Sequence, residues 1–218
     1  MVSINELFDL EHTAAAEYLG RFHFPWEALK GIAGMIVEMG NRLDPDEYHC
    51  AGKEIWLHKS AVVSESAKIS GPCIVGPDTE IRHCAFIRGA ALIGRNCVVG
   101  NSVELKNVIL FDGVQVPHFN YVGDSILGYR AHLGAGAVTS NVKSDKSNVV
   151  IHGGKEILTG MKKVGAMVGD YTEIGCNTVL NPGTVLGRNV TVYPGCSVRG
   201  VVPANHIWKS GGILVPKG

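Results

Sequence analysis

Starting at Leu57, an aliphatic or aromatic side chain recurs at every sixth position, through Val63, Ile69, Val75, Ile81, Ile87, Ile93, Val99, Leu105 and Phe111. Four residues after these positions the side chain is usually small: Ala61, Ala67, Cys73, Thr79, Ala85, Ala91 and Cys97. A spacing of six fits neither an amphipathic helix nor the simple alternation of one strand. It fits the repeats of a parallel β-helix, in which short strands wind round a prism and like positions stack into one continuous core. The same phase returns at Tyr121, Leu127, Leu133 and Thr139, and again at Val168, Ile174, Leu180, Leu186, Val192 and Val198.

The pattern breaks twice. Between Pro117 and Tyr121 it slips by four residues (Pro117, His118, Phe119, Asn120), and from Ser140 to about Met167 an excursion replaces it. Interruptions of a solenoid are where loops carry function. Inside the excursion, 149–158 reads as a hairpin turning on Gly153 and Gly154, flanked by Lys143, Lys146, Lys162 and Lys163. Ahead of the repeat, Leu7, Leu10, Ala14 and Tyr18 have helical spacing, as do Trp26, Leu29, Ile32, Ile36 and Met39, the second set opened by Pro25. Two helices are expected, capping the open end of the prism or packing along it. The division is then a helical segment over 1–50 and a β-helix over 51–218, with an inserted loop at 140–167.

Composition narrows the function. Lys plus Arg and Asp plus Glu both total 20, so no global field favours nucleic acid or an acidic membrane. No apolar run reaches the roughly 20 residues that span a bilayer, and the first residues lack a basic-then-apolar leader, so a cytoplasmic protein with a small-molecule substrate is expected. The 28 glycines suit a fold that turns a corner every few residues. Six cysteines lie far apart with no CxxC pair, which suits reduced thiols rather than a disulfide scaffold or a zinc site. Cys73, Cys97 and Cys196 fall on the small inward position and read as core filler.

Between 86 and 142 the chain reads FIRGAALIGRNCVVGNSVELKNVILFDGVQVPHFNYVGDSILGYRAHLGAGAVTSNV. Its Arg-Gly rung, G-N-x-V-E-x-K, H-x-x-Y-x-G-D and G-A-G-x-x-T-x-N resemble, in order and spacing, the acetyl-transfer site of the glucosamine-1-phosphate acetyltransferases. These form the second half of the bifunctional sugar-1-phosphate nucleotidylyltransferase/acetyltransferases, and the resemblance covers roughly residues 80–200. The stretch KKVGAMVGDYTEIGCNTVLNPGTVLG looks more like the archaeal type, which is similar in mechanism and looser in amino-sugar choice. The resemblance implies a left-handed wind with three hexapeptides to a coil, a homotrimer with sites between neighbouring prisms, and acetyl-CoA as co-substrate. No GxGTRM-like segment occurs, so no nucleotidylyltransferase domain is expected.

Carried over residue by residue, the resemblance makes His118 the general base toward the sugar amine. Imidazole, with an ordinary pKa of about 6.5, is available as the free base near neutral pH. Arg88 and Lys106 become the cationic grip on the sugar phosphate, and Tyr121 a hydrogen-bonding partner of that phosphate. His132 stands where an Asn usually holds the sugar, and Val142 where a Tyr usually follows Asn141. Asn141 falls on the acetyl-CoA side, grouped with Ala135, whose neighbourhood lines the sugar pocket, and Lys162, Lys163 and Lys209 are candidates for the coenzyme A phosphates on charge alone. The expected activity is N-acetylation of glucosamine 1-phosphate or galactosamine 1-phosphate by direct attack of the amine, with no covalent enzyme intermediate and no metal. Two alternatives stay open: a non-catalytic or differently specific sugar-nucleotide binding protein, suggested by His132 and Val142, and a zinc enzyme like the γ-class carbonic anhydrases. The second has His83, His118 and His132 in the right half of the chain, without the H-x4-H pair.

Overall fold

The computed structural model describes residues 2–218, and most of them form a left-handed parallel β-helix. Its strands stack into three faces. The first holds Ile55–His58, Cys73–Val75, Ala91–Ile93, the later parts of Glu104–Leu110 and Tyr121–Leu127, then Ala166–Val168, Thr184–Leu186 and Val201–Val202. The second runs from Val62–Val63 through Glu80–Ile81, Val98–Asn101, Gln115–His118, His132–Leu133, Glu173–Ile174 and Thr191–Val192 to His206–Lys209. The third stacks Lys68–Ile69, Phe86–Ile87, the first parts of Glu104–Leu110 and Tyr121–Leu127, then Val138–Thr139, Val179–Leu180 and Ser197–Val198.

Burial differs from face to face. First-face strands read as unbroken apolar triplets such as Cys73–Val75 and Ala91–Ile93, buried on both sides, as strands covered from outside must be. Their outward residues Ile74, Leu92, Ile109, Ile126, Met167 and Val185 are buried. The N-terminal segment packs along the lower part of this face and the hairpin Val150–Gly153/Lys155–Leu158 along the upper part. The helices thus lie along the prism side rather than over its end. The hairpin turns on Gly154 alone, with Gly153 paired to Lys155.

The first expected helix is broken into Ile4–Leu7, a 3-10 turn Leu10–His12 and Ala16–Leu19. Asp9 and Thr13 divert the backbone, their side chains accepting the N–H groups of Glu11 and Ala15. The buried Asp170 carboxylate pins the break to the prism by accepting from Asp9 N at 2.7 Å and Tyr129 N at 2.8 Å. The second runs as a 3-10 turn Pro25–Gly31 continuing into the helix Ile32–Gly40.

The slip in the repeat is not where periodicity puts it. Leu110, not Phe111, pairs with Ile93, and the inward series continues as Val116, Val122 and Leu127, all fully buried. Two corners are therefore one residue short, at Lys106–Asn107 and at Gly123–Asp124. Asn107 and Asp124 take the corner in the left-handed region, φ 55° and 48°, which Asn and Asp tolerate better than most residues. Phe111 points outward and is buried against Phe8 of the N-terminal segment, ring centroids 5.1 Å apart. Tyr121, next to inward Val122, is on the outer surface and half-buried. His118 closes a regular strand, in register with Asn101.

Candidate active site

The two shortened corners stack, and between them they gather most of the candidate residues. Where the third face meets the first, the Asp124 carboxylate, 4 % exposed, accepts from Lys106 Nζ at 3.2 and 3.3 Å, Asn107 Nδ2 at 2.8 Å and Asn141 Nδ2 at 2.6 Å. A buried carboxylate persists only with this kind of saturation. Asn141 Nδ2 also donates to Tyr121 Oη at 3.3 Å. Burial pushes the Tyr121 phenol pKa up, and the carboxylates of Asp124 and Glu104 push the same way, against the Asn141 hydrogen bond. Tyr121 is therefore kept as a protonated donor. One coil below Lys106, the exposed Arg88 pairs with Glu104 at 2.7 Å, and that carboxylate raises the guanidinium pKa further.

Both proposed phosphate cations thus already have a carboxylate partner. An ammonium has three donors, and Lys106 makes two hydrogen bonds to Asp124, leaving one donor for a ligand. Lys162 and Lys163 are exposed beside a hollow of ≈ 410 Å³ that also takes in Lys30, Asn107 and Asp124. The N-terminal segment, the prism and the excursion therefore meet at this corner.

His118 occupies the opposite edge of the third face. Its backbone N–H donates to Asn120 Oδ1 at 3.1 Å, and the buried Asn120 amide bonds Gly134 O at 2.9 Å and Ala137 O at 3.0 Å. Its carbonyl accepts from Gly136 N at 3.0 Å, so Ala135 sits one coil above at the same corner. The His118 imidazole is exposed and makes no hydrogen bond among the described residues. Tyr121–Leu127 leaves this corner and crosses the third face to the Asp124 corner. Both edges of that face thus carry candidate groups, with Tyr121 between them.

Two candidates are placed elsewhere. His132 is on the second face, in register with Gln115 and Glu173, its Nδ1 at 2.8 Å from Glu173 Oε2. Gln115 lies three residues ahead of His118 on its strand, about 10 Å at the usual strand rise. Within one chain His132 therefore does not join the Lys106 cluster. Lys209 stands in the last coil, 5.8 Å from the Tyr193 ring centroid, apart from all the others. A larger hollow, ≈ 660 Å³, lies under the N-terminal segment at the corner of the first and second faces and contains none of these residues. Among the described residues no three His, Cys, Asp or Glu side chains come close enough to hold a metal ion.

Motif reading singles out Lys106, Tyr121 and Asn141 and gives no role to Asp124, the carboxylate that joins Lys106 to Asn141. Its signal in the sequence is the five-residue step from Val122 to Leu127, which only the register reveals. Cys73, Cys97 and Cys196 are buried as core filler, and burial pushes the thiols of Cys73 and Cys97 up to about 12.

Residues 69–158 match the family model of the GMPPB C-terminal domain. A bifunctional sugar-1-phosphate nucleotidylyltransferase/acetyltransferase of Sulfurisphaera tokodaii is 30 % identical over 232 aligned positions, which take in 95 % of this chain and 57 % of that protein. Bifunctional protein GlmU of Nostoc sp. is 34 % identical over 79 % of this chain and 34 % of its own length. Among solved structures, a mutant of AntD, an N-acyltransferase from Bacillus cereus, in complex with dTDP and coenzyme A, overlaps 78 % of this chain and 89 % of that one, at 15 % identity and a TM-score of 0.42. The chain is a hexapeptide-repeat protein of the left-handed β-helix class. Within that class its sequence is similar to the bifunctional sugar-1-phosphate nucleotidylyltransferase/acetyltransferases, over their C-terminal, acetyltransferase part. The chain spans less than two thirds of the length of these curated relatives.

Proposed function

We propose that this chain is an N-acetyltransferase that moves the acetyl group of acetyl-CoA to the amine of an amino-sugar 1-phosphate, glucosamine or galactosamine. The observation that carries the reading is the third face, where Lys106 and Asn141 share Asp124, Asn141 reaches Tyr121, Arg88 lies one coil below and His118 stands free at the other edge. In this reading the amine lone pair attacks the thioester carbonyl carbon, His118 takes the amine proton, and the carbon–sulfur bond breaks to release the coenzyme A thiolate, which is then protonated. Lys106 and the Tyr121 hydroxyl donate to the sugar phosphate, and Arg88 joins them by exchanging Glu104 for the phosphate. Lys162 and Lys163 serve the coenzyme A phosphates at the hollow beside Asp124, and Ala135 lies along the thioester arm above His118. The reading includes a homotrimer with sites between neighbouring prisms; within one chain His132 and Lys209 lie apart from the Lys106 cluster. No helix among the described residues is long and apolar enough to cross a membrane, in keeping with a cytoplasmic enzyme.

The test is release of free coenzyme A from acetyl-CoA by the purified chain, with each sugar 1-phosphate as acceptor. Turnover that depends on the acceptor is the expected result. A folded protein that releases none with either sugar would send the reading to another acceptor or to a binding scaffold.

A further inference from the structure

The Asp124 corner fixes more than the position of its neighbours; it fixes their hydrogen-bonding polarity. Asn141 Nδ2 has two hydrogens. One goes to Asp124 Oδ2 at 2.6 Å and the other lies toward Tyr121 Oη at 3.3 Å. The flipped amide would set Oδ1 against a carboxylate oxygen at that same short distance, two acceptors facing each other in a part-buried place, so chemistry dictates this orientation. The Asn141 side-chain oxygen Oδ1 is left as an acceptor with no partner among the described residues, while the backbone carbonyl accepts from Val164 N at 3.0 Å. Tyr121 Oη, having accepted from Asn141, has its own proton free to donate outward. Lys106 is held from the side by the same carboxylate.

We propose that Asp124 is a positioning residue that sets the polarity of the site. Through Lys106, and through Asn141 on to Tyr121, it presents a patch of donors to an anionic oxygen beside a single carbonyl acceptor for an N–H group. Resting on the acetyl-transfer reading, this deepens it. The phosphate oxygens go to Tyr121 and Lys106, and Asn141 accepts from an N–H, that of the reacting amine or of an amide in the thioester arm. Asn141 is then not a phosphate donor. Asn107 is the fourth member: its amide donates both to Asp124 at 2.8 Å and to Leu29 O at 3.2 Å, which ties the carboxylate to the N-terminal segment. The corner therefore needs that segment docked to keep its geometry.

Asp124→Asn is the informative change, because a carboxamide offers one acceptor oxygen to three donors and can itself donate to Asn141, turning that amide round. Protein labelled only with ¹⁵N-asparagine, its Asn141 side chain assigned by loss of the signal in Asn141→Ser, reads the geometry with no ligand present. A downfield, slowly exchanging amide proton on Asn141 in the unmodified chain is the expected signature. In Asp124→Asn it moves to the position of a free amide. An Asn141 amide that is already free in the unmodified chain overturns the proposal, whether or not the variant folds.

Kinetics supply the second readout. Asp124→Asn is expected to lower kcat/KM for the sugar phosphate about 10²-fold, the scale of a small misplacement of acting groups. The loss should shrink to about tenfold or less in a Tyr121→Phe background, because both changes remove the same outward donor. Equal losses in the two backgrounds would show that Asp124 acts on structure alone and overturn the relay. Absence of acetyl transfer by the unmodified chain would defeat the acetyltransferase reading and leave the amide signature to decide this one.

Discussion

The two edges of the third face are built on opposite plans. At the first-face edge, a buried carboxylate is saturated by Lys106, Asn107 and Asn141, and each of these is fixed by at least one further contact or by the shortened corner itself. At the other edge, the His118 imidazole stands exposed without a hydrogen bond among the described residues, although its backbone is held on both sides by Asn120 and Gly136. One edge is over-determined, and the other has a fixed backbone and a free side chain. Groups that bind a fixed charge gain from being locked before the ligand arrives, whereas a proton acceptor must offer an unoccupied nitrogen to the substrate. Under the proposed function, the phosphate is held at the first edge and the proton is taken at the second.

The largest effect that tests this contrast belongs to the free edge. His118→Ala should reduce acetyl transfer by about 10²–10⁴-fold, the usual contribution of a general base, with the melting temperature unchanged because the side chain is exposed and holds nothing in place. A loss of activity matched by a loss of stability would erase the distinction between the edges. Lys106→Ala should do both kinds of damage. It leaves the Asp124 carboxylate short of a cation, so thermal unfolding should show a cost of about 1–3 kcal/mol, and KM for the phosphorylated acceptor should rise. Arg88→Ala, by comparison, removes an exposed pair and should raise that KM while leaving the melting curve where it was.

The smallest effects concern the core beneath both edges. A thiol reagent at neutral pH should label Cys50, Cys84 and Cys176 in the native protein and spare Cys73, Cys97 and Cys196 until denaturant is added. Cys73 and Cys97 also set a pH dependence. Their thiols go from an ordinary value of 9.0 to about 12 in the fold, so the native state keeps protons that the unfolded chain gives up. The stabilisation is fully present below pH 9 and is lost as pH rises toward about 12. Denaturant titrations across that window should show stability falling, and Cys73→Ala should flatten part of the fall.

How far the sequence carries depends on which side of the strand is being read. The run from Leu57 to Leu105 is legible because each inward position is aliphatic and the steps are all six, so the β-helix follows from periodicity alone. Past Leu105 the same rule misplaces Phe111 and Tyr121. Both are aromatic and in phase, yet one is buried outward under the N-terminal segment and the other faces the site. Hydrophobicity does not separate inward burial from outward burial, and the first face is covered on both sides. The candidate residues were legible as a motif, but their grouping was not. Lys106 and Asn141 meet because two corners are one residue short, a fact of register, and His132 is separated from them because it lies on another face. The N-terminal helical spacing similarly gave no warning of the break at Asp9, since the partner that fixes it, Asp170, is 161 positions away.

The proposed acetyl transfer to a phosphorylated amino sugar stands or falls with His118. Its most direct test is coenzyme A release by the unmodified chain and by His118→Ala, measured side by side with glucosamine 1-phosphate and galactosamine 1-phosphate. Acceptor-dependent release by the former and near-background release by the latter, with both equally folded, is the expected result. Equal release by the two proteins, or none by either, would contradict it.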